Sequence, residues 1–95
     1  MKQHGKARDH NEPEIVEAMR NLGAVVLSLD PPNPDLLVGW GGRWALCEVK
    51  QPKGTLTPGQ IKLRQTCIGH TLPFFVVRSV ADAIGMLELM DLTCN

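Results

Sequence analysis

Apolar positions along the chain fall into short runs and helical stripes with sharp boundaries. Leu36-Leu37-Val38 and Trp44-Ala45-Leu46-Cys47 are two strand-like runs separated by Gly41-Gly42. A two-residue type I′ turn needs positive φ at both central positions, so the glycine pair predicts a hairpin. With those glycines as the loop, Leu37 faces Leu46 and Asp35 faces Glu48. Alternation then puts Asp35, Leu37, Leu46, Glu48 and Lys50 on one face.

Upstream, Ile15, Val16, Met19 and Leu22 repeat at helical spacing, and Gly23 ends the stripe. Asn11 is expected to cap this helix, with Pro13 in the first turn and Glu12 and Glu14 at the positive end of the dipole. Glu12 lies nearer the apolar stripe than Glu14 does. Residues 24–29 form a nearly continuous apolar run, which predicts a central strand. Pro31, Pro32 and Pro34 make the next segment a loop. Beyond the hairpin, residues 51–55 form a second loop, extended and basic. Thr57-Pro58-Gly59-Gln60 then carries the N-cap, first-turn proline and capping-box glutamine of a helix whose apolar positions are Ile61, Leu63, Cys67 and Ile68. Phe74-Phe75-Val76-Val77 predicts another buried strand. Ser79 and Asp82 open a last helix with Ala83, Ile84, Leu87 and Met90 at helical spacing. The order helix, three strands, helix, strand, helix predicts an α/β fold with a mixed central sheet flanked by helices.

Composition narrows this to one small domain: 95 residues, 43% hydrophobic and 21% charged, too apolar for a disordered chain. Residues 1–10 are basic and aperiodic, which predicts a flexible arm and leaves residues 11–95 as the domain. No apolar run has membrane-spanning length, and the start of the chain lacks the apolar segment of a signal peptide. Cys47, Cys67 and Cys94 are odd in number and unclustered, as expected of reduced thiols in the cytoplasm. His4, His10 and His70 are too scattered to form a site.

Formal net charge is zero, but its distribution is uneven. From Arg43 to Arg78 there are six Lys or Arg and one acid, whereas residues 79–95 carry three acids and no base. A chain with such sides presents one of them to a polyanion.

The chemistry sits at the end of the hairpin. Like charges directly opposite destabilise a sheet, so Asp35 against Glu48 asks for a cation. Their hard oxygens suit Mg²⁺ or Mn²⁺, and the carbonyl of Val49 offers a further ligand. Lys50 beside such a metal orients or helps deprotonate a water, or stabilises charge developing on a phosphate. The reaction class that needs these parts is metal-dependent phosphodiester hydrolysis. The competing reading is a surface salt-bridge cluster of Asp35, Glu48 and Lys50, worth ~1 kcal/mol at most. Trp40 and Trp44 are expected to face each other diagonally across the turn and to pack. Cys47 is expected to point away from Glu48 into the core.

These pieces resemble the PD-(D/E)xK nuclease superfamily, and in detail its virus-type replication-repair nuclease (VRR-NUC) branch in the stand-alone form of phages and prophages. The matching segments are NEPEIVEAMRNLGAVV, PDLLVG, LCEVKQPKGTLTPGQ and the VVRS strand end. The resemblance implies that Asp35 and Glu48 are metal ligands, Lys50 the catalytic lysine and Gln60 the glutamine that follows on a helix. It also implies an acidic residue on the first helix, either Glu12 or Glu14. It further implies a homodimer that resolves Holliday junctions or other branched DNA, in a bacterial or phage-infected cytoplasm. Arg43, Lys53, Lys62 and Arg64 would then line one DNA-binding face across both subunits. A flap or nicking nuclease with the same chemistry, or a non-catalytic DNA-binding module, are the alternatives.

Overall fold

A computed structural model describes residues 9–92; most of the expected basic arm, with Lys2, His4, Lys6 and Arg8, lies outside them, as does Cys94. Three helices and four strands follow in the expected order: α1 (Glu12–Asn21), β1 (Val25–Ser28), β2 (Leu36–Trp40), β3 (Arg43–Val49), α2 (Pro58–Gly69), β4 (Phe74–Val77) and α3 (Val80–Leu92). The sheet runs β1-β2-β3-β4. The first three strands are antiparallel neighbours, and β4 returns parallel to β3 after α2.

Gly41 and Gly42 turn the hairpin at φ 62° and 79°, a pair of values that residues with a Cβ rarely adopt. The register is the expected one, with Leu37 opposite Leu46 and Leu36 opposite Cys47. One face of the sheet holds the core. Val26, Leu36, Val38, Ala45, Cys47, Val49 and Val77 pack there against Ile15 and Met19 of α1 and Met86, Leu87 and Met90 of α3.

Several expectations need correcting. Residues 24–29 give an edge strand, not a central one: Val26 is buried, but Val25 and Leu27 stand 51% and 46% exposed. Their side chains point to the face away from α1 and α3, where α2 packs chiefly against β4 and leaves β1 bare. Trp40 and Trp44 do not face each other. Trp40 pairs with Arg43 and Trp44 with Gly39, so the two indoles lie on opposite faces. Trp44 lies flat over Gly39, where an added Cβ would meet three ring carbons at 3.0–3.2 Å.

On α2, Cys67 is the buried side chain while Ile61 and Ile68 are exposed; on α3, Met86 is buried and Ile84 lies at the surface. Ser79 and Asp82 form half of the expected capping box. The Ser79 hydroxyl accepts from the Asp82 N–H, but the Asp82 carboxylate accepts from the N–H of Arg78 instead.

Candidate active site

Asp35 is the last loop residue before β2 and is 3% exposed. Pro34 precedes it, buried and without an N–H to give to a ladder. Backbone pairing therefore has to be completed locally. The Asp35 carbonyl accepts from Leu29 at 2.9 Å, and its carboxylate Oδ2 accepts from the N–H of Val49 at 2.8 Å. The side chain thus stands in for a strand residue at the end of β3. Glu48 lies on β3 between β2 and β4, opposite Val76 on the parallel side, and is 1% exposed. Extending the β2–β3 register by one pair puts Asp35 beside Glu48, as expected.

Lys50 is held by its main chain. Its N–H donates to Val77 at 3.0 Å, and its carbonyl accepts from the Asn11 side chain at 3.0 Å. The side chain is half-buried. Among the described residues its ammonium has no hydrogen bond or ion pair, so a salt-bridge cluster centred on Lys50 is not what the fold builds.

Cys47 lies on the core face, as expected. Burial raises its thiol well above the ordinary range, and the charges of Asp35, Glu48 and Glu12 raise it further. Glu12 is buried in the first turn of α1, whereas Glu14 is exposed to solvent.

Gln60 closes the expected capping box: its Oε1 accepts from the Thr57 N–H at 2.9 Å, and its own N–H donates to Thr57 Oγ1 at 3.2 Å. Lys53, Lys62 and Arg64 are exposed. Arg43 is not brought to them. It opens β3 at the end remote from Lys50, points to the core face, and its Nε is buried.

Two residues carry roles that local sequence did not suggest. Arg78 donates from its guanidinium to the carbonyl of Gly54 at 3.0 Å, fastening the loop between β3 and α2. Asn11 makes no capping bond and has helical φ and ψ itself; its amide bonds Lys50 and Arg78 instead. An asparagine before a helix reads as a cap, and nothing nearby in sequence points to partners 39 and 67 residues away.

The donor set fits a hard divalent cation. Two buried carboxylates on adjacent strands are what Mg²⁺ or Mn²⁺ takes from a protein when it keeps several waters. Among the described residues no cluster of three His, Cys, Asp or Glu side chains is placed to hold a metal, so the fit is to a site with two carboxylates.

Helix, antiparallel hairpin with a buried acid at each strand end, crossover helix and parallel strand together make the α/β core of the PD-(D/E)xK fold. Comparison with solved structures narrows this to the fold of a VRR_NUC domain. One such domain superposes with a TM-score of 0.66 and 24% identity, covering 84% of this chain and 97% of that one. No family model matches the sequence, and a search of curated proteins returns no significant match.

Proposed function

We propose that the chain is a Mg²⁺- or Mn²⁺-dependent, structure-selective endodeoxyribonuclease that cuts branched DNA as a homodimer, with the Holliday junction as its foremost substrate. The observation that carries this reading is the buried pair Asp35 and Glu48 with Lys50 just beyond the end of β3, its ammonium without a partner among the described residues. Two buried carboxylates side by side are costly without a cation or a proton between them. Asp35 and Glu48, with the carbonyl of Val49, would hold the metal, which when bound polarises the phosphodiester and activates the attacking water. Lys50 would hold a water or a phosphate oxygen through its ammonium. Of the two candidate acids on α1, burial favours Glu12 over the exposed Glu14. Gln60 would contribute from the start of α2, after release of its cap. Lys53, Lys62 and Arg64 carry the phosphate contacts, without Arg43.

A second copy finds its surface on the bare side of the sheet. Val25, Leu27 and Trp44 are each about half exposed there, on the face to which the buried Glu48 belongs by strand alternation. That patch is apolar, which suits protein contact better than a phosphate backbone. Among the described residues no helix is long and apolar enough to cross a membrane. The deciding assay offers synthetic four-way junctions, flaps and nicked duplexes with and without Mn²⁺. Paired symmetric cuts in the junction are expected; cutting of flaps or nicks alone would move the substrate assignment, and no metal-dependent cutting of any of them would refute the reading.

A further inference from the structure

Asn11 departs furthest from what its neighbourhood in sequence suggests. Its amide nitrogen donates both protons, one to the carbonyl of Lys50 and one to that of Arg78, each at 3.0 Å. Carbonyl oxygens only accept, so the atom lying between them must be the nitrogen, and chemistry fixes which way the amide points. The two residues joined are the first beyond the ends of β3 and β4. Lys50 is consequently gripped on both sides of its Cα, by Val77 through its N–H and by Asn11 through its carbonyl. Arg78 carries the grip on to Gly54 and so to the loop that follows Lys50.

A helix cap would have served α1 with a local bond. Here the cap is given up, and the Oδ1 of Asn11 is buried without a partner among the described residues. A buried acceptor left in that state weakens the fold rather than supporting it. What the arrangement secures is the place where Lys50 leaves the sheet.

We infer that Asn11 is a positioning residue, which acts through the main chain of Lys50 to set where its ammonium stands relative to Asp35 and Glu48. The inference rests on the nuclease reading above, and a misplacement of about 1 Å in such a group costs about 10²-fold in rate.

The test is a double-mutant cycle on the full chain with Mn²⁺ and a branched DNA substrate. Asn11→Ala lowers kcat at least about tenfold while KM for DNA stays within about twofold. In the Lys50→Ala background the same substitution costs less than about twofold, because the group being positioned is gone. Asn11→Ser keeps one donor and recovers part of the rate; it replaces the alanine variant in the cycle should that one not fold. Equal losses in the two backgrounds, or an unchanged kcat, overturn the proposal. Hydrogen exchange reads the grip without any cutting: the Lys50 amide is protected in the parent chain and exchanges at least about tenfold faster in the Asn11 variant, with little change in Tm. A parent chain that cuts no DNA but shows this exchange difference refutes the nuclease reading and keeps the grip. A chain that cuts DNA without the difference refutes the grip.

Discussion

The N–H of Val49 donates to Oδ2 of Asp35 at 2.8 Å, one residue before β2 begins. One carboxylate therefore closes the end of a strand and stands beside Glu48. Asp35→Ala should remove the acceptor and leave a buried N–H unsatisfied, a loss of about 1–3 kcal/mol in denaturant unfolding. Asp35→Asn keeps an acceptor oxygen and should lose less than half as much. Both should abolish cleavage, and Glu48→Gln should do so as well. Calorimetry with Mn²⁺ checks the cause: unchanged metal binding in Asp35→Asn and Glu48→Gln would remove these residues from the site.

Lys50 gives the opposite pattern. Its side chain makes no hydrogen bond or ion pair among the described residues, so Lys50→Ala should leave unfolding free energy within about 0.5 kcal/mol of the parent. Cleavage should nevertheless fall by about 10²–10⁴-fold. A normal rate in this variant would show that the ammonium takes no part in the chemistry.

Gly39 and Trp44 form a cross-strand pair with the indole laid on the glycine. Gly39→Ala would press a methyl group into three ring carbons and should cost about 1–3 kcal/mol. In a Trp44→Ala background the ring is absent, and the same change should be neutral or stabilise by up to about 1 kcal/mol, since alanine is the better strand residue. Equal costs in both backgrounds would mean that the backbone at Gly39, rather than the indole, sets the requirement.

Association is checked through β1. Leu27→Glu puts a charge on the bare face without touching the core, so the monomer should stay folded while sedimentation shows loss of the dimer. DNA affinity of the parent should fall steeply with salt, as expected of a protein bound through phosphates. A parent chain that is monomeric at micromolar concentration would leave the nicking or flap alternative in place of junction resolution.

The hairpin was legible because its information is local: two glycines set the turn, the turn sets the register, and the register brings Asp35 to Glu48. The cap of α2 was legible for the same reason, all of it lying between Thr57 and Gln60. Opposite placement of Trp40 and Trp44 follows from that same register, yet their shared nearness to the turn hid it. Edge position of β1 was not readable, since Val25-Val26-Leu27 has the composition of a central strand, while the strand order puts it at the edge and no helix among the described residues packs over its outer face. Burial of Glu12 rather than Glu14 followed the helical stripe. The bonds of Asn11 had no local trace, because they form only once three distant segments meet.

Those segments also differ in how much chain must be made before they can meet. The turn at Gly41-Gly42 lets the two strand acids meet over a short stretch of chain, early in folding and early in synthesis. The bonds of Asn11 span 39 and 67 residues, so the second waits until Arg78 has been made and β4 has joined the sheet. A nascent chain would then hold Asp35 and Glu48 side by side well before the main chain of Lys50 is clamped.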